Sequence, residues 1–279
     1  MRSVQAHRRR RNTGIATIIG GAIAAVLLNW MGFGPAYKTA PAQAPSSQQA
    51  SQRQSHSAAR PEANPGNFAF YTLALSLAPA FCETAPSKKQ CRKLTAAVNA
   101  ATPLTLHGLW PENARPGSYP ESCDGQVITV KALERDIDPQ RLQQFMPGIA
   151  DGLASHEWRK HGTCTGLSAK AYFIAAIDWT ERINAALSSV LQLASGKQMA
   201  AAGLKTSANG IFPGLGQAIT LHCRNIKTQD ASMRGKAVLM ELHVCLQKGA
   251  NGLPTELTEC AALDRIDQGC GERFVIDSV

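Results

Sequence analysis

The stretch HEWRKHGTC, residues 156–164, places two histidines, a glutamate, an arginine, a lysine and a cysteine within nine positions. Three kinds of chemistry could use such a set. A helical zinc motif needs histidines at i and i+4, about 40° apart around the axis, whereas His156 and His161 stand at i and i+5, about 140° apart. The pair therefore cannot grip one ion from a regular helix, and no metal is expected. A cysteine nucleophile should be the unpaired thiol, and the eight cysteines of the chain leave no odd member. What remains is acid–base work. Glu157, Lys160 and His161 fall at i, i+3 and i+4, which a helix brings onto one face, with His156 on an adjoining edge at i−4 from Lys160. That face can move protons and steady a developing anion, but it holds no nucleophile. It suits a substrate that brings its own, as RNA does in its 2′-hydroxyl. Attack on the neighbouring phosphorus needs a base, an acid for the leaving oxygen, and positive charge beside the phosphoryl group.

A second proton-transfer group is expected from LTLHGLWPE, residues 104–112. Leu104 and Leu106 alternate with Thr105 and His107, so the strand points the His107 imidazole away from the leucines. Gly108 permits a turn, and Pro111 favours an extended Trp110. The indole would then lie near the histidine as a stacking platform for a base.

Several elements must hold these groups. FAFYTLALSL (68–77) alternates as a strand with one buried face made by Tyr71, Leu73, Leu75 and Leu77. Asp138-Pro139 opens a short helix that Pro147 ends. The catalytic stretch is expected on a helix from about Gly152 to His161 that stops at Gly162. A longer helix behind a Ser168 cap carries Tyr172, Ala176, Trp179, Ile183, Leu187 and Val190 as a core stripe. AITLHCRN and AVLMELHVCLQ look like strands, and their His222 and His243 are expected to be structural. Strands at the ends and helices in the middle argue for an α+β fold around a mixed or antiparallel sheet.

The net charge of +9 is misleading until it is located. Residues 1–66 carry eight basic side chains against one acidic, so most of the excess precedes the expected folded part. Four arginines at 8–11 followed by an uncharged apolar run over 14–33 imply export, by a cleaved signal peptide or a retained signal anchor within residues 1–36. Residues 37–66, rich in Gln, Ser, Ala and Pro, are expected to be a disordered linker in which His56 is inert, leaving 67–279 as one domain. All eight cysteines lie in that domain and none form closely spaced pairs, which favours four disulfides in an oxidising compartment, periplasmic or secreted.

LTLHGLWPE and HEWRKHGTC resemble the paired active-site signatures of the ribonuclease T2 family, and FYTLALSLAPAFC resembles its opening strand, with Leu77 where many members carry tryptophan. The likeness spans essentially 67–279 and is strongest in the two signatures. It implies an antiparallel sheet flanked by helices and stapled by disulfides Cys82–Cys91, Cys123–Cys164, Cys223–Cys270 and Cys245–Cys260. By the same resemblance His161 is the general base, His107 the general acid, Glu157 and Lys160 steady the transition state, and His156 helps hold the phosphate. The implied activity is cleavage of single-stranded RNA through 2′,3′-cyclic phosphates to 3′-phosphates, with no cofactor. No obligate protein partner is implied, a monomer is expected, and only the leader would touch a membrane. The base 5′ to the cleaved bond would stack on Trp110, with Tyr119 as a second wall. Glu112 could accept a hydrogen bond from an exocyclic amine, giving a modest bias toward adenine or cytosine. Two other classes compete: a ribonuclease-like binding protein without turnover, and a metal-dependent phosphodiesterase.

Overall fold

A strand whose two faces differ in size organises the molecule. In the computed structural model, which describes residues 64–228, 231 and 233–279, Phe70–Leu77 forms β1, paired antiparallel with Leu104–Glu112 (β2) on one side and Ala237–Lys248 (β5) on the other. Tyr71, Leu73, Leu75 and Leu77 pack into the core, as their alternation requires. The other face was expected to be open, yet Thr72 and Ala74 are buried too. Thr72, Ala74 and Ser76 are small, and side chains of the neighbouring strands lie over them.

The remaining strands are Gln198–Ala200 (β3), Ile219–Asn225 (β4), Pro254–Leu257 (β6) and Arg273–Val275 (β7). Among the described residues the sheet runs β2-β1-β5-β7-β3, with β4 and β6 also pairing β5. Pairing is antiparallel except between β5 and β7, which meet in parallel at Val238 and Val275. The helices are Ala78–Thr84 (α1), Lys89–Arg92 (α2), Ala96–Ala101 (α3), Val130–Leu133 (α4), Pro139–Phe145 (α5), Leu153–Lys160 (α6), Ala169–Ala194 (α7), Ala201–Ile211 (α8) and Leu215–Ala218 (α9). Asp138 caps α5 by accepting from the Gln140 and Arg141 amides, and the Ser168 hydroxyl caps α7 through Ala171.

The longest helix, α7, covers the edge of the sheet. An edge strand leaves outward amides and carbonyls without ladder partners, and burying them unpaired is costly. Here Asn184 bonds both the amide and the carbonyl of Leu104, while the Tyr172 hydroxyl donates to the Leu109 carbonyl and accepts from its amide. These bonds hold β2, and the groups it carries, at two points five residues apart. Disulfides join Cys82 to Cys91, Cys123 to Cys164, Cys223 to Cys270 and Cys245 to Cys260. No described helix is long and apolar enough to cross a membrane. The expected export segment over 14–33 and the expected linker, but for its last three positions, lie outside the described residues.

Candidate active site

A bulge decides which way the groups of β2 point. Ala74 pairs with Gly108 and Leu75 with Leu106, so His107 has no partner across the strand pair. Strict alternation would put His107 and Trp110, three residues apart, on opposite faces. The extra residue resets the alternation, and the two rings meet edge to face with 5.2 Å between centroids. The turn expected at Gly108 is therefore absent, and β2 continues to Glu112. The glycine is needed for a close approach instead. A Cβ there would lie 2.1 Å from Glu157 Oε2 and 2.4 Å from Trp110 Nε1.

Helix α6 brings the second set. Glu157 is buried at 1% exposure, Lys160 is half-buried, and His161 caps the C-terminus at 5% exposure, its amide donating to the Glu157 carbonyl. Gly162 lets the chain turn tightly over Trp158, whose ring a Cβ would strike at 2.3 Å. The Cys123–Cys164 bond and the Ser122 amide, which donates to the Lys160 carbonyl, fasten the preceding loop to the helix end. That loop delivers Tyr119, whose ring lies 6.0 Å from His161 and 5.8 Å from the Lys160 ammonium. The Trp110 indole donates to Glu157 Oε2 at 2.8 Å and lies 5.4 Å from the His161 ring. It thus fixes a carboxylate besides offering a platform.

His107, Trp110, Glu157, Lys160 and His161 are brought together, with Tyr119 facing them. His156 stands at the exposed rim, its Nε2 3.9 Å from Glu157 Oε1. It lines a cleft of about 340 Å³ on the His107 side. On the His161 side a smaller cavity of about 200 Å³ is lined by Trp110, Glu112, Tyr119, Lys160, His161 and Arg265.

Sequence reasoning missed three neighbours. Glu241 of β5 reaches over the small face of β1 to His107, with Oε1 2.7 Å from Nδ1 and Oε2 3.0 Å from His243 Nε2. His243 also meets Trp110 at 5.2 Å and stacks on His222 at 3.7 Å, so it supports the site as well as the sheet. Arg265 donates to Glu112 Oε2 at 2.7 Å. The one available signal was a lone carboxylate in the apolar run VLMELHV. Nothing local marks Arg265.

The two central histidines are pushed in opposite directions. Burial lowers the pKa of His107, but the hydrogen bond and charge of Glu241, with the charge of Glu157, outweigh it and leave the net value raised. Burial, the Lys160 ammonium and the charges of His107 and His156 lower His161 to about 3. Its Nδ1 is buried without a partner, leaving Nε2 as the nitrogen available to a ligand. Burial raises Glu157, opposed by His107 and the Trp110 bond. Burial would raise Glu241 too, but hydrogen bonds and charge from His107 and His243 hold it well below the usual carboxylate range. One imidazole biased toward its charged form and one biased toward its neutral form therefore flank a carboxyl and an ammonium, an arrangement that can give a proton, take a proton and steady an anion. Among the described residues no group of three or more His, Cys, Asp or Glu is arranged to hold a metal ion.

The model of the Ribonuclease T2 family matches residues 68–260. A ribonuclease of Aeromonas hydrophila is 36% identical over 129 residues, covering 45% of this chain and 51% of that protein. Ribonuclease I of Escherichia coli is 27% identical over 243 residues, 76% of this chain and 87% of that protein. The match to the Aeromonas protein thus spans about half its length. Among solved structures, ribonuclease MC1 from bitter gourd seeds superposes with a TM-score of 0.55 at 22% identity, over 75% of this chain and all of that one. That likeness speaks to the fold.

Proposed function

This chain belongs to the ribonuclease T2 family, and from that premise we propose that it is an exported, metal-independent endoribonuclease of single-stranded RNA with little base specificity. The observation that carries the proposal is geometric: the His107 and His161 rings stand on either side of Trp110, 5.2 Å and 5.4 Å from it, with the Glu157 carboxylate bonded to the indole between them. His161, biased toward its neutral form by burial and by the Lys160 ammonium, accepts the 2′-hydroxyl proton at Nε2. His107, biased toward its charged form by Glu241, protonates the leaving 5′-oxygen from Nε2, while Glu241 occupies Nδ1. Lys160 supplies positive charge to the phosphoryl oxygens. Glu157, held in position by the Trp110 indole, helps steady the transition state beside them. His156 holds the phosphate from the rim. The roles of the histidines reverse when water opens the 2′,3′-cyclic phosphate to a 3′-phosphate. The base 5′ to the cleaved bond occupies the cavity walled by Trp110 and Tyr119. The continuation of the RNA lies in the cleft beside His107.

Export is supported by the four disulfides and by the basic and apolar leader. The test is incubation of the purified protein with single-stranded RNA, with and without a chelator, and analysis of the ends formed. Cyclic-phosphate ends that persist under chelation are expected. No turnover would indicate a binding protein, and chelator-sensitive turnover a metal-dependent phosphodiesterase.

A further inference from the structure

We propose that Arg265 sets the base preference of this enzyme, favouring guanine and uracil over adenine and cytosine at the nucleotide 5′ to the cleaved bond. The inference rests on the proposed reading of the cavity beside His161 as the base site, and it reverses the bias that Glu112 alone would suggest.

Arg265 lies beyond the stretch matched by the family model, which ends at residue 260. It lines the same cavity as Trp110, Glu112, Tyr119, Lys160 and His161. Its loop is fixed at both ends. Cys260 is bonded to Cys245, and Cys270 to Cys223. Within the loop the Arg265 amide donates to the Cys260 carbonyl. The Asp267 carboxylate takes both the Leu221 amide and the Lys205 ammonium. The guanidinium sits 5.5 Å from the Phe70 ring. Its direction is therefore set before any ligand arrives.

The acceptor that a base amine would need is already in use. Glu112 is buried, its Oε2 accepts from Arg265, and Thr72 also hydrogen-bonds the carboxylate. Adenine or cytosine would have to displace the guanidinium to reach it. The cavity is instead short of acceptors. A guanidinium carries five donors. One Nη of Arg265 is engaged with Glu112, and the Lys160 ammonium adds a second cation nearby. A base that brings carbonyl oxygens answers that shortage: guanine presents O6 beside N7, and uracil a 4-oxo group. Adenine and cytosine turn amines toward the same cations.

The test is kcat/KM on the dinucleoside phosphates GpU, UpU, ApU and CpU. GpU and UpU are expected to exceed ApU and CpU by about five- to tenfold, the low end for an arginine–base contact because the guanidinium is shared with Glu112. Arg265→Ala should bring the four within about twofold of one another. Should that variant fail to fold because Glu112 is left buried and unpaired, Arg265→Met with Glu112→Gln removes both charges and should level the four rates equally. Equal or faster cleavage of ApU and CpU by the wild type, or a preference unchanged by removal of the guanidinium, overturns the proposal while leaving the endonuclease reading intact. Failure of the folded protein to cleave any of the four overturns both.

Discussion

Replacing Glu241 by glutamine isolates one charge beside His107, the proposed general acid. The amide keeps the shape and can still accept from His107 Nδ1, so the ring stays in place while the carboxylate charge is lost. Both side chains are partly exposed, 35% for His107 and 24% for Glu241, which calls for a water-like dielectric constant as a floor. At the 2.7 Å separation that floor gives about 1.5 kcal/mol, close to one pH unit in the histidine's pKa. The sign follows from the role. In the proposed role His107 acts as an acid when charged, so activity is expected to be lost as pH rises through its raised pKa, and removing Glu241 should move that loss to lower pH. On the acidic plateau, where His107 is charged in both proteins, kcat/KM should change little. Above both transitions it should fall about tenfold, one decade for each pH unit that the limb moves. The assay is the pH profile of kcat/KM on a dinucleoside phosphate for wild type and Glu241→Gln. An alkaline limb that stays where it was, or a uniform loss at every pH, would refute the idea that Glu241 acts through the charge state of His107.

Other substitutions test the rest of the site. His107→Ala and His161→Ala should each lose about 10²–10⁴ in kcat with the circular dichroism spectrum unchanged. Trp110→Phe keeps a ring but removes the donor to Glu157, and should lower kcat about ten- to a hundredfold with KM held, given about 1.5–3 kcal/mol for a hydrogen bond to a charged group; a rise in KM alone would limit the indole to stacking. Gly108→Ala forces apart the Glu157–Trp110 pair and should both lower the melting temperature, through about 1–3 kcal/mol of overpacking, and depress kcat. Replacing Cys123 and Cys164 together by serine opens a loop with 41 residues of separation and should cost about 4 kcal/mol in urea unfolding.

Much of the site was local and so legible. Glu157, Lys160 and His161 share a helix, and their spacing alone fixes a common face whatever surrounds it. The caps at Asp138 and Ser168 and the stop at Gly162 are likewise matters of neighbouring residues. The alternation of β1 foretold its large face, and the small face of Thr72, Ala74 and Ser76 was visible as such without showing its use. That use depends on pairing register. With β1 small on one side, Glu241 can reach from β5 to His107 on β2, a contact across 134 residues of chain. A bulge that no residue type announces puts His107 and Trp110 on one face. Arg265 meets Glu112 across 153 residues because two disulfides hold its loop against the strand end. Helical periodicity is written in consecutive residues, so the sequence by itself determined which groups share one face. Strand register and loop anchorage come from contacts distant in the chain, so only the tertiary structure decided which partners tune those groups and what lines the cavity beside His161.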